Sequence, residues 1–277
     1  MNKGTFGNRV PDKYFTGEVI ASIISPGVGW VSLDGVNKKL YERGINKNFG
    51  KKIIKFGNFV WTTRTSTFGA TVINSVAYAN NLWVAAGGAV AGPGQIRTST
   101  DAVTWTTRTS NFGNTAINSV AYGNSLWVAG GDTGQIRTST DAVTWTTQTS
   151  TFGATIINSV AYGNSLWVAV GYSGQLRTST DAVTWTTRTS NFGNTLISSV
   201  AYGNSLWVAG GFGGQLSTST DGITWTARTS NFGTTIIYSV AYGGNNLWVA
   251  VGNTGQIRST SLNQYSTPLQ TGMWVKS

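Results

Sequence analysis

Polar and apolar residues alternate along most of the chain from Trp61 to Ser261, and Val, Ile, Thr, Trp and Tyr fill the apolar places. These side chains suit a pleated, half-buried surface, and period-two alternation sends successive residues to opposite faces, so the runs predict strands. Four runs separate between residues 117 and 150. INSVAYG (117–123) stops at Gly123-Asn124, a pair suited to a tight turn with positive φ. SLWVAGG follows and leads into a glycine-rich link ending at Gly134. QIRTST then turns at Asp141-Ala142 into VTWTTQT. In the first run Ser119 and Ala121 share one face and Val120 and Tyr122 the other, as expected of a crowded inner strand near an axis.

The same four runs return about every 40 residues. A Trp recurs at Trp61, Trp105, Trp145, Trp185 and Trp225, an SVAY core at Ser75, Ser119, Ser159, Ser199 and Ser239, and a G-Q-[IL] step at Gln95, Gln135, Gln175, Gln215 and Gln256. Four short strands at this period predict one blade of a β-propeller per unit, hence an all-β, five-bladed β-propeller of four-stranded blades. The last unit stops after Gln256–Ser261, before its Trp-bearing strand, while Val60–Ser66 (VWTTRTS) precedes the first unit without a blade of its own. That N-terminal strand is expected to complete the fifth blade and close the ring, leaving no open sheet edge. Alternatively, Lys52–Trp61 forms a hairpin about Gly57-Asn58 and competes with Gln256–Ser261 for the third strand of the closing blade. The expected organisation is a short N-terminal β arm at 1–50, the propeller at 51–261 and a tail at 262–277 that leaves through Pro268. Ring closure would bring Trp274 near Trp30.

Composition narrows the chemistry. The 277 residues include no Cys and no His, which removes disulfides, thiolate metal sites and the commonest neutral-pH general base. No metal site, cofactor or catalytic residue is expected. The net charge of +10 is uneven: residues 1–60 hold ten Lys or Arg against four acids, about +6. The basic run (Lys38, Lys39, Lys47, Lys51, Lys52, Lys55) reads as a solvated docking arm for an acidic partner, and it lacks the interleaved aromatics of a nucleic-acid site. No secretory leader is evident at the start, and Val19–Ile24 is too short to span a bilayer, so neither membrane insertion nor export is expected.

The hairpin STDAVTW (Ser99, Asp101, Trp105) recurs with Asp141 and Trp145 and with Asp181 and Trp185, and becomes STDGITW with Asp221 and Trp225. It resembles the Asp-box of BNR-repeat propellers, one residue shorter here and with Ala for Gly in three of four hairpins. The resemblance implies a structural role, the carboxylate bonding its own turn and the Trp packing between sheets. Sialidases share that box, but the repeats contain no Glu, and their acids are the four hairpin Asp plus Asp132. The paired carboxyl groups of glycoside hydrolysis are therefore missing, and no enzyme is expected.

Five units with a hydroxyl- and amide-rich surface also resemble tachylectin-type five-bladed propellers, which bind amino-sugars at one site per blade. Each connection into a new unit reads S-[NT]-F-G and carries Phe68, Phe112, Phe152, Phe192 or Phe232, with Asn111, Asn191 and Asn231 beside three of them. An apolar ring next to amides and hydroxyls suits a sugar, and five weak sites would gain avidity on a polyvalent glycan. Packing of the Phe rings between blades is the competing reading, which leaves the Asn side chains exposed without a platform. The second link of each unit varies, with Asp132-Thr133, Tyr172-Ser173, Phe212-Gly213 and Asn253-Thr254 in units otherwise nearly identical, and it adds candidate contacts on the same face. Near-identical repeats with a basic arm resemble bacteriophage tail and fibre proteins. The expectation is a multi-copy virion protein that is made in the host cytoplasm, docks on other virion proteins through the arm and displays glycan-binding loops. A purely structural connector or a cytoplasmic protein-binding scaffold are the alternatives.

Overall fold

The computed structural model describes residues 61–89 and 92–261. The chain divides into two units, Met1–Thr63 and Arg64–Ser277, and the second holds every strand described. The arm at 1–50, the Lys52–Trp61 hairpin and the tail with Trp274 lie outside the described residues, save Trp61 itself. No helix among the described residues is long and apolar enough to cross a membrane.

Five antiparallel sheets succeed one another along the chain. Blade one comprises β1 (Ile73–Ala79), β2 (Leu82–Gly87), β3 (Gln95–Ser99) and β4 (Thr106–Arg108). Blade two repeats it with β5 (Ile117–Gly123), β6 (Leu126–Gly131), β7 (Ile136–Ser139) and β8 (Thr146–Gln148). Blade three has β9 (Ile157–Gly163), β10 (Leu166–Gly171), β11 (Leu176–Ser179) and β12 (Thr186–Arg188), and blade four β13 (Ile197–Gly203), β14 (Leu206–Gly211), β15 (Leu216–Ser219) and β16 (Thr226–Arg228). Blade five has three strands, β17 (Ile237–Tyr242), β18 (Leu247–Gly252) and β19 (Ile257–Ser261).

Alternation along these strands serves two neighbours at once. In blade three, Phe152, Ile157, Val160, Trp167 and Trp185 pack back against Val128 and Ile136 of blade two. Its Val168, Val170 and Leu176 pack forward against Phe192, Ile197, Val200 and Trp207 of blade four. The two faces of the first strand therefore look at the preceding and the following blade. The innermost edge is covered by the neighbour's hydroxyls: Val120, Val160, Val200 and Val240 donate their N–H groups to Ser75, Ser119, Ser159 and Ser199 of the blade before, at 3.0 to 3.3 Å. A bulge shifts the register between Ile117 and Ser119 and likewise in the blades that follow. In the first three blades the extra residue it admits, Asn74, Asn118 or Asn158, donates its amide to a backbone carbonyl of the next blade at 2.9 to 3.0 Å.

Among the described residues the expected closing strand is not formed. Residues 61–66 carry no strand, and the fifth sheet ends at β19. In the other blades the fourth strand is tied to the third by a short hairpin capped by Asp101, Asp141, Asp181 or Asp221. The fifth unit has Leu262 at that place in the sequence, so its fourth strand would have to pair across almost the whole repeat region and lacks this local support.

Candidate recognition surface

Two kinds of loop meet at the end of each blade where the first strand begins. One is the connection entering the blade, with its Phe; the other is the link between second and third strands. In the connections Thr67, Asn111, Thr151, Asn191 and Asn231 all have φ between 61° and 63° or within a degree of it, a left-handed backbone that Asn tolerates better than most residues. The amides of Asn111 and Asn191 donate to the carbonyls of Trp145 and Trp225. Asn231 stands exposed at the same turn. The Asn111 and Asn191 side chains thus tie the connection to the Trp at the end of the Asp hairpin of the same blade.

The Phe rings are not the open plane expected of a sugar platform. Phe68 is 3 % exposed and Phe112, Phe152, Phe192 and Phe232 are each 2 % exposed. Four of them lie beneath a guanidinium from the third strand of their own blade: Arg97 sits 4.7 Å from the Phe68 centroid, Arg137 4.9 Å from Phe112, Arg177 4.8 Å from Phe152 and Arg258 5.1 Å from Phe232. A cation over the ring face gains from the aromatic quadrupole, and burial strengthens that gain. The guanidinium also fills a ring of acceptors. Arg137 donates to the carbonyls of Ile136 (3.1 Å) and Asn111 (2.9 Å) and to Gln135 Oε1 (2.7 Å). Arg177 repeats this with Leu176, Thr151 and Gln175. Burial lowers the pKa of Arg97, Arg137 and Arg177 from the usual 12.5. Phe and Arg lie about 25 residues apart, so the pairing is invisible to a local reading; its trace in the sequence is the column Arg97, Arg137, Arg177, Arg258, broken by Ser217.

The variable links are different. Asp132–Gly134, Tyr172–Gly174, Phe212–Gly214 and Asn253–Gly255 each form one 3-10 turn whose middle residue has φ of 54°, 53°, 66° and 57°. One backbone thus displays four different side chains. Tyr172 is 46 % and Phe212 55 % exposed, Asn253 is exposed, and Asp132 is half-buried, accepting from the Asn118 amide at 3.0 Å. On these links the rings open to solvent are those of Tyr172 and Phe212, in contrast to the buried Phe residues of the connections.

On the opposite side each hairpin Asp holds its own turn through Oδ1. Asp181 Oδ1 accepts the N–H groups of Val183 and Thr184 at 2.8 Å and the Ser179 hydroxyl at 2.9 Å. Asp101, Asp141 and Asp221 do the same. The backbone N–H of Thr104, then that of Val103, hold Asp101 at about 2, and those of Thr224 and Ile223 hold Asp221 at about 2. Asp141 and Asp181 are lowered for the same cause. The indoles of Trp145, Trp185 and Trp225 are buried and donate to residue 142, 182 or 222 of the hairpin at 3.0 to 3.2 Å, while Trp105 is half-buried. Among the described residues no three His, Cys, Asp or Glu gather where they could hold a metal ion.

No family model and no curated protein matches the chain. Among solved structures it is similar to the WD40 β-propeller domain of Doa1, with a TM-score of 0.56, 11 % identity, and 70 % of this chain and 66 % of that one covered. It is also similar to YCF48 from Cyanidioschyzon merolae, with a TM-score of 0.51, 17 % identity, and 71 % and 70 % covered. At such identities the likeness shows the fold alone, and that fold is a β-propeller.

Proposed function

We propose that this propeller is a non-catalytic recognition module that meets glycans through its variable turns, carried in several copies on a virus particle of the bacteriophage type. The observation that carries the reading is the contrast within each unit: an almost invariant frame places Asp132, Tyr172, Phe212 and Asn253 on one backbone conformation, with Tyr172, Phe212 and Asn253 exposed. Exposed rings at Tyr172 and Phe212 suit the C–H face of a sugar, and the neighbouring hydroxyls and amides suit its OH groups. Weak contacts repeated around one molecule, and again around many copies, add up through effective concentration. The virion setting is supported by the near-identity of the repeats, the lack of Cys and the basic residues of 1–60. The absence of catalysis is supported by the bonding of each hairpin Asp to its own turn, which among the described residues leaves no acid-base pair of the kind hydrolysis uses.

A glycan array at high protein density tests this. Binding is expected, and Tyr172→Ala with Phe212→Ala should weaken it by roughly tenfold, the loss of about 1.4 kcal/mol of contact, with Tm unchanged because both side chains are exposed. A silent array with the folded protein overturns the reading.

A further inference from the structure

We propose that the outer edge of the fifth sheet is a docking site for one extended segment of a partner chain, a tryptophan followed by two threonines and an arginine or glutamine, which adds to β19 as a fourth strand. This goes beyond the glycan reading and does not rest on it, since the turns carrying Tyr172 and Phe212 take no part.

The other four sheets show what such an edge holds. In blade two, β8 lies antiparallel to β7, with Thr146 opposite Thr138, Thr147 opposite Arg137 and Gln148 opposite Ile136. The last residue of the outer strand reaches back to the third strand. Gln148 Nε2 donates to Thr138 Oγ1 at 2.8 Å, and Arg108, Arg188 and Arg228 donate through Nε to Thr98, Thr178 and Thr218 at 2.8 to 2.9 Å. A Trp stands just before each of these strands and serves the blade behind: Trp145 shares a cluster with Ile96, Trp185 with Ile136 and Trp225 with Leu176.

Blade five keeps what such a strand would meet. Ile257, Arg258 and Ser259 stand opposite Val251, Ala250 and Val249, as Ile136, Arg137 and Thr138 stand opposite Gly130, Ala129 and Val128. Among the described residues no strand pairs with the outer edge of β19, and the cluster between blades four and five holds no Trp of this kind. Two exposures follow. Residues 257–260 are all exposed, whereas β7 and β11 are buried throughout. Leu216, the counterpart of Ile96, Ile136 and Leu176, is half-buried where those three are wholly buried. The edge thus lacks both a ladder partner for β19 and an indole over Leu216. A bare edge presents a row of N–H and C=O groups, and an added strand satisfies them, with main-chain bonds giving affinity and side-chain seats giving selectivity. Here the seats are Leu216 for the tryptophan and Ser259 Oγ for the arginine or glutamine. The chain's own further copy of the pattern, Trp61–Arg64, leads directly into the Phe68 connection of blade one, and residues 61–66 carry no strand.

The test titrates the isotope-labelled full chain with an end-blocked peptide VTWTTRT, the sequence of residues 103–109, followed by NMR. Binding is expected with Kd on the order of 0.1 mM, with amide shifts confined to β19 and the surroundings of Leu216. Trp105→Ala in the peptide should weaken binding at least about tenfold. Proline at both Thr106 and Thr107 of the peptide should abolish it, because one of those two N–H groups must face β19. In the chain, Ser259→Val changes an exposed residue and removes the acceptor for the arginine, so it should weaken binding by roughly fivefold. No binding by the folded chain, equal affinity for the alanine or proline peptide, shifts elsewhere, or no effect of Ser259→Val each overturns the proposal. Sedimentation of the chain alone at the same concentrations should show a monomer; self-association relieved by the peptide would assign the edge to a second copy and overturn the choice of a partner chain.

Discussion

The same residues meet opposite surroundings in the middle of the molecule and at its two ends. Val160, on the first strand of blade three, is 5 % exposed, and its equivalent Val76 on blade one is 57 % exposed. Leu176 on the forward face of blade three is fully buried, and its equivalent Ile257 on blade five is 62 % exposed. Hydrogen bonding follows the same division, for the Ser199 hydroxyl accepts from Val240, and Ser239 has no sixth blade to serve. The Tyr202 ring lies so close to Gly163 that an added Cβ would come within 2.2 Å of it, whereas a Cβ added at Gly243 would meet nothing closer than the Leu247 carbonyl at 4.0 Å. Burial here is a property of the interface between blades and not of the unit: each unit offers two half-interfaces, and four of the five junctions a ring would need are made within the described chain. An end repeat that keeps the interior pattern leaves apolar surface bare, which is why repeat proteins commonly end in modified caps.

The largest effect should come from putting a charge at matched positions of this comparison. Val160→Asp buries a carboxylate among Ile136, Trp167 and Trp185 with no partner, and should cost more than about 4 kcal/mol, enough to unfold the protein or a large part of it. Val76→Asp makes the same change on open surface and should stay within about 0.5 kcal/mol. Urea unfolding monitored by the indoles reads both. Equal destabilisation by the two variants would mean that the end face is covered in solution.

That contrast also marks where the sequence stops being readable. Strands, turns and the unit boundary were legible because they are local: alternation predicts INSVAYG as a strand, and Gly123-Asn124 and Asp141-Ala142 predict turns, at both of which the backbone takes positive φ at Asn124 and Ala142. The hairpin Asp were legible for the same reason, since the backbone N–H groups they accept from lie two and three residues on. The Phe residues were not, because what covers Phe112 is Arg137, on another strand, and the blade before it. A closing strand was expected because VWTTRTS matches the outer strands in pattern, but among the described residues the fifth sheet has three strands, and pairing there has no Asp-capped hairpin to hold it.

A smaller effect should follow from cutting side chains back. Leu176→Ala opens a cavity between blades three and four and should cost about 2–5 kcal/mol. Ile257→Ala removes surface that water already reaches and should cost under about 1 kcal/mol. At roughly 2–4 °C of Tm per kcal/mol for a chain of this size, calorimetry separates them. A ratio near one would place Ile257 in an interface as complete as the interior ones.

The smallest effect is acid sensitivity, which sharpens the comparison because blades one to four possess the Asp hairpin and the fifth sheet does not. Backbone N–H groups hold Asp221 at about 2 against an ordinary 3.8, so below about pH 4 the unfolded chain takes up protons that the folded chain refuses. The stabilisation from this depressed pKa is complete above the unfolded value and is lost as pH falls from about 4 toward 2. Tm should therefore be flat in this respect near neutrality and fall over that window. Asp221→Asn, which keeps an acceptor and gives up the charge, should melt a few degrees lower at pH 7 and lose less on acidification, so that the two curves converge as pH approaches 2. A gap that stays constant from pH 7 to pH 2 would show that the turn does not depend on the ionised carboxylate, and that the hairpin holds its fourth strand by packing of Trp225 alone.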